Sequence, residues 1–229
     1  MKIIAGLGNP GSEYENTRHN AGFMTLDRLL ARSSRGGEAR WQAGHQALVA
    51  KVLLGGESCL LLKPLTFMNL SGRSVADAMR FFRVKLSDLL VVVDDVALPC
   101  GAIRLRPGGS SGGHNGLADI EQAVASLAAI EGVTGRDFAR LRIGVDAPGQ
   151  QPLAAYVLGR FTPEQKPLVD EALIRAAEAV ECWACAGVLA AMARYNGVAE
   201  ERQSSGPKQP PKAGGSRGGA KEPPRKIDG

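Results

Sequence analysis

Three short islands constrain this chain more than any other feature. Each joins small, turn-forming residues to an amide or an imidazole. They are Gly8-Asn9-Pro10-Gly11 with Arg18-His19-Asn20 behind it, Thr66-Phe67-Met68-Asn69, and Gly112-Gly113-His114-Asn115-Gly116. They lie far apart in the chain, and each follows a segment with the pattern of a strand. An α/β fold gathers a polar site in this way, at the ends of its strands. The islands supply histidines, asparagines and nearby arginines but no obvious nucleophile, a set suited to hydrogen-bonding a polar substrate and activating water.

Hydrophobic patterning around the islands agrees with an α/β class. Residues 2–7 read as a buried strand, and a helix is expected from His19 or Asn20 to about Arg32 on the apolar face of Leu26, Leu29 and Leu30. The stretch 33–44 reads as a loop. Segments 47–54 and 58–63 read as a strand pair about Gly55-Gly56-Glu57, with Pro64 stopping the second strand. A helix is expected over 70–83, then a buried strand from Leu89 to Val93 that ends in Asp94-Asp95. Residues 102–106 alternate, which puts Arg104 and Arg106 on one face. The glycine loop 108–113 leads into a helix over 116–130, and 140–145 is a further strand. Residues 147–162 read as a Pro/Gly loop, and 163–195 as a helix divided or bent at Gly187.

A chain of 229 residues is long enough for one substantial core. Residues 201–229 hold seven Lys/Arg against three Asp/Glu, so most of the formal charge of +5 sits there and the rest of the chain is close to neutral. The organisation expected is a catalytic domain over 1–197 and a Pro/Gly/Lys/Arg-rich tail over 198–229. The tail is expected to be disordered, because it has little apolar surface to offset its ordering entropy. Such a tail adds salt-sensitive affinity for nucleic acid without sequence choice. No apolar run approaches the roughly 18 residues of a membrane span, and the start of the chain lacks the regions of a signal peptide. The expectation is a cytoplasmic protein. Four cysteines in a chain of this length do not form a disulfide framework.

Gly6-Leu7-Gly8-Asn9-Pro10-Gly11 formally fits the dinucleotide fingerprint, but Pro10 and the polar residues after it delay the helix that should meet the pyrophosphate. The alternative reading is a tight turn that presents the Asn9 amide. His19, flanked by Asn9 and Asn20, is a candidate base, with a strand-terminal aspartate to fix its tautomer. On composition alone Asp94 and Asp95 are equal candidates for that aspartate. His114 is a candidate acid, ligand or cap, and Asn115 suits an ester carbonyl or an attacking water. Arg104, Arg106 and Arg142 suit phosphate, with a solvated sheet face as the competing reading. Cys182 and Cys185 read as packing within a buried helix, and Met68, Met79, Phe81 and Phe82 as core. Phe67 and Tyr14 are candidates for a stacking surface.

With these residues in place, the chain resembles the bacterial peptidyl-tRNA hydrolase family from Lys2 to about Asn196. The matching pieces are the Gly6–Gly11 turn, Tyr14, residues 17–22 around His19, Pro64, residues 66–72, Asp94-Asp95, Leu98-Pro99, residues 112–117, 141–144 and 156–159. The resemblance implies a single α/β domain with a mixed twisted sheet flanked by helices. It implies a monomeric enzyme without metal or other cofactor. Such an enzyme hydrolyses the ester between a peptide and the 3′-terminal ribose of tRNA, recycling tRNA from prematurely released peptidyl-tRNA. By resemblance, His19 is the general base and Asp94 its partner, while Asn9 distinguishes a blocked from a free amino group. Asn69 and Asn115 bind the peptide and terminal-nucleotide end with Tyr14, Phe67 and His114 beside them, and Arg104, Arg106 and Arg142 meet tRNA phosphates. Two departures stand out. Ala97 replaces an expected aspartate, which puts local loop hydrogen bonding in question, and the stretch from Ile130 to Phe138 is longer than expected. The competing classes are a non-catalytic RNA-binding relative, against which the intact His19, Asp94 and Asn9 argue, and a nicotinamide dehydrogenase.

Overall fold

The computed structural model describes residues 1–33 and 39–196; the tail expected over 198–229 lies outside them. Seven strands form one mixed sheet: β1 (Lys2–Gly6), β2 (Gln42–Gly44), β3 (Ala47–Leu54), β4 (Glu57–Pro64), β5 (Leu89–Asp95), β6 (Ile103–Arg106) and β7 (Ala139–Gly144). Their order is β2-β3-β4-β1-β5-β7-β6. The central strands β4, β1, β5 and β7 run parallel, while β2, β3 and β6 complete the edges in antiparallel register. The parallel strands read as continuous apolar runs because helices cover both faces. The helices are α1 (Ala21–Ser33), α2 (Ser71–Phe82), α3 (Asn115–Ala123), α4 (Ala125–Glu131), α5 (Leu153–Val157) and α6 (Gln165–Tyr195).

Alternation along β1 divides the core into two layers. Ile4 packs with α1 and α6 residues such as Leu29, Leu173 and Trp183, whereas Ile3 and Ala5 pack with α2 and α3 residues such as Met79 and Ile120. The chain leaves β1 for β4 on one side and reaches β5 on the other. The strand order therefore reverses at β1, the place where open α/β sheets build their crevices.

Several expectations change in detail. The helix expected over 116–130 is two helices that meet at Val124 (φ −94°, ψ −1°). The stretch read as loop, 147–162, contains α5, and 33–44 contains β2. α6 turns sharply at Gly187, whose φ of 82° and ψ of 174° lie outside the helical region. By length and composition alone α6 is apolar enough to cross a membrane, contrary to the reading of no such run. In this fold its apolar side supplies Val169, Leu173, Val180 and Trp183 to the core. Phe81, expected in the core, is 70% exposed; in the last turn of α2 its ring meets His45 and Phe82 at 5.0 and 4.8 Å instead. Cys182 is half-buried against the core, but Cys185 is exposed and donates to the Leu54 carbonyl. The longer stretch after Ile130 is closed by left-handed Gly132 and by Asp137, which accepts from both the backbone N–H and the hydroxyl of Thr134.

Candidate active site

His19 reaches the sheet because a helix start is pressed onto two strands. Arg18–Asn20 form one helical turn that runs into α1. At Gly22 a Cβ would collide with the Leu7 nitrogen and the Val92 carbonyl, and at Gly6 with the Gly22 carbonyl. Only glycine permits this approach, and it sets His19 beside the carboxyl end of β5. Asp94, 4% exposed, is the penultimate residue of that strand. His19 Nδ1 lies 2.9 Å from Asp94 Oδ1, and His114 Nε2 lies 3.2 Å from the same oxygen.

The two imidazoles are thereby held in opposite tautomers. An ionised carboxylate only accepts, so each ring presents an N–H to Asp94. His114 caps α3, and its Nδ1 accepts the Leu117 N–H at 3.3 Å. Both of its nitrogens are committed. The His19 Nε2 is left as an acceptor, free to take a proton. Burial works against the Asp94 charge, but the hydrogen bonds from His114 and His19 outweigh it and hold the carboxyl well below the usual carboxylate range.

The third island is positioned by arginines from β7. Gly112 and Gly113 take φ of 62° and 83°, a left-handed pair that leads into the His114 cap. Arg142 donates to the Ser110 and Ser111 carbonyls and to Asp95 Oδ2 at 3.0 Å. Arg140, 1% exposed, donates to the Gly109 and Ser110 carbonyls. Asp95 also accepts the Ala97 N–H at 2.9 Å, so it supplies hydrogen bonding to the turn in which an aspartate is expected at position 97. Just after the second island, Asp119 of α3 accepts the Gly72 N–H of α2 at 2.6 Å, which joins the start of α2 to the middle of α3.

One cavity of about 480 Å³ collects the result. Asn9, His19, Asp94, His114, Asn69, Asn115, Phe67 and Arg142 all border it. Phe67 is 56% exposed at its rim. Asn9 is fixed on three sides. Its backbone N–H and carbonyl bond the Asn20 carboxamide at 2.8 and 3.0 Å, and its Oδ1 accepts the Met68 N–H at 2.9 Å. That last bond assigns the amide, leaving the Asn9 Nδ2 donor for a ligand. Tyr14 is half-buried and does not border this cavity. Arg104 is half-buried and Arg106 exposed on edge strand β6, away from the cavity lining. Arg142, expected to meet phosphate, spends its guanidinium on Asp95 and the glycine loop.

Sequence reading missed Arg18 and α5. Arg18, 6% exposed, donates to the Tyr156 carbonyl at 3.2 Å and to Gln165 at 2.7 Å, and it stacks 4.1 Å from the Tyr156 ring. It ties α5, whose Leu153, Ala154 and Val157 wall the cavity, to the turn that carries His19. Its adjacency to His19 was the one available signal.

The family model described as Peptidyl-tRNA hydrolase matches residues 3–205. The chain belongs to the peptidyl-tRNA hydrolase family. The peptidyl-tRNA hydrolase of Symbiobacterium thermophilum is 48% identical over 85% of this chain and 98% of its own length. That of Caldanaerobacter subterraneus is 46% identical over 86% of this chain and all of its own. Among solved structures, the peptidyl-tRNA hydrolase from Acinetobacter baumannii superposes with a TM-score of 0.77 at 34% identity, covering 86% of this chain and 95% of that one.

Proposed function

We propose that this site hydrolyses the ester joining a peptidyl, or N-blocked aminoacyl, group to the 3′-terminal ribose of tRNA, recycling tRNA from prematurely released peptidyl-tRNA. Family membership supports the reaction. The observation that carries the mechanism is the 2.9 Å bond from His19 Nδ1 to Asp94, which leaves Nε2 as the proton acceptor at the cavity wall.

A water bound at His19 Nε2 gives up its proton as its oxygen attacks the ester carbonyl. Negative charge develops on the carbonyl oxygen, and the Asn115 carboxamide at the first turn of α3 is assigned to receive it. As the intermediate collapses, the carbon–oxygen bond to the ribose breaks and the imidazolium returns its proton to the leaving hydroxyl. Asp94 stays ionised throughout and favours the imidazolium. An acyl ester of a ribose is activated enough for water and one base, so the residues present suffice.

Asn9, with its free Nδ2 donor, is assigned to the peptide carbonyl found in a blocked substrate and absent from a free aminoacyl group. Asn69 borders the peptide and terminal nucleotide, and exposed Phe67 offers the terminal base a stacking face. Arg142 is assigned to holding the glycine loop. Arg104 and Arg106 are assigned to phosphate further along the acceptor, and Tyr14 to an outer contact. Release of the acyl group from N-acetyl-aminoacyl-tRNA tests the reading, with free aminoacyl-tRNA and His19→Ala as controls. Rapid hydrolysis of the blocked substrate alone, lost in the variant, is expected. Undiminished hydrolysis by His19→Ala would overturn the assignment of the base.

A further inference from the structure

A second cavity, of about 440 Å³, also borders Asn9. We infer that it is the subsite for the peptide residues that precede the esterified one. This rests on the proposed reaction. Its volume falls within the range of about 300–1,000 Å³ typical of ligand pockets.

Continuity is the first argument. Asn9 borders both cavities. Its backbone is locked by Asn20 and its Oδ1 by the Met68 N–H, so Nδ2 is the side-chain donor left for a ligand at this shared residue. A peptide attacked at its C-terminal carbonyl beside His19 has its preceding carbonyl within about one residue's reach, roughly 3.3 Å of chain per residue. Once that carbonyl is on Asn9, the chain continues into the second cavity.

The lining favours peptide over nucleic acid. Phe23, Met24, Leu48 and Leu65 give it apolar walls. Its one lysine, Lys63, is 8% exposed and bonded to Asp27 at 2.6 Å, with the Trp41 ring 4.4 Å from its Nζ. Glu15 and Asp27 both border the space, so its ionised groups are two carboxylates against one paired ammonium. Such a site repels a tRNA phosphate. Peptide carbonyls and an apolar side chain fit it. A preference follows for substrates that carry an apolar residue just before the esterified one.

The test compares N-acetyl-aminoacyl-tRNA with an acetylated tripeptidyl-tRNA carrying leucine at the two preceding positions, on the same tRNA. Wild type is expected to cleave the longer substrate with a kcat/KM about tenfold higher, the discrimination a hydrophobic pocket supplies. Leu48→Trp fills the cavity and is expected to bring the ratio close to one. Leu65→Glu changes a wall residue that is 44% exposed, so it reads the same ratio even where Leu48→Trp fails to fold. A ratio near one in wild type, or a ratio unchanged in the folded variants, would overturn the subsite. No hydrolysis of the short substrate by wild type would overturn the reaction itself, and the subsite with it.

Discussion

Asp94 Oδ1 accepts from two imidazoles, and the residue-scale consequences follow from that bond pattern. In Asp94→Asn the amide no longer enforces the Nδ1–H tautomer of His19, and kcat is expected to fall about 10²- to 10⁴-fold with little change in KM, by analogy with other buried histidine partners. His114→Ala removes one hydrogen bond to the carboxylate but leaves the base, so steady-state assays should show a smaller loss, about tenfold. The Asp94 carboxyl titrates below its unfolded value of about 3.9. The stability its charge contributes is therefore fully present above about pH 4 and is lost as pH falls through the folded value. Chemical unfolding at stepped pH should show the gap between wild type and Asp94→Asn narrowing below about pH 4. On composition alone Asp94 and Asp95 are equal candidates for the partner of His19, and only the family resemblance favours Asp94. That choice needs the packing of Gly22 on β1 and β5. The thiols give a separate check. Burial pushes Cys59 up to about 11, while Cys185 is exposed. A thiol reagent at pH 8 should label Cys185 in the folded protein and reach Cys59 only on unfolding.

At the scale of elements, two side chains do the work of backbone. Asn196 ends α6 and pairs its carboxamide with both the N–H (2.7 Å) and the carbonyl (3.1 Å) of Leu105. It thus occupies the outer edge of β6 as one residue of a further strand would. Asn196→Ala leaves those groups without it and should lower unfolding free energy by about 1–3 kcal/mol, measured by denaturant titration. Arg18 binds α5 to the turn before α1; Arg18→Ala should cost about 2–4 kcal/mol and also raise KM, because α5 walls the site. The long elements were legible in sequence because periodicity over eight or more residues is unambiguous: β3, β4, α2 and the Gly187 break all stand close to where the pattern puts them. α5 has five residues between Pro152 and Gly159, too few for a period to register. Phe81 is apolar but lies in a terminal turn, and apolarity alone does not set depth. Arg142 reads as a phosphate ligand by its chemistry, and only the fold reveals Asp95 beside it.

For the whole molecule, the near-neutral body and the basic segment after residue 200 are expected to divide two tasks. Removing residues 201–229 is expected to leave turnover of a minimal ester substrate unchanged and to weaken binding of intact peptidyl-tRNA at low salt, with a shallower dependence on salt concentration. Loss of turnover on the minimal ester would contradict that division. The first two islands could be placed from sequence because they follow β1 and β4, whose carboxyl ends lie together in the parallel part of the sheet, whereas the third follows antiparallel β6, whose end lies beside the start of β7, and reaches the site only through the loop that Arg140 and Arg142 hold. The cavity beyond Asn9 had no such signature: Phe23, Leu48 and Lys63 lie on three different elements and meet only in the folded chain. One carboxylate oxygen fixes His19 and His114 in opposite tautomers and leaves a free acceptor on His19 alone. Nitrogen-15 NMR of the imidazoles, above the range in which imidazole titrates and assigned by single histidine variants, tests it most directly. The proton is expected on Nδ1 of His19 and on Nε2 of His114. A proton on Nε2 of His19 would contradict it, because the base would then have no lone pair to offer water.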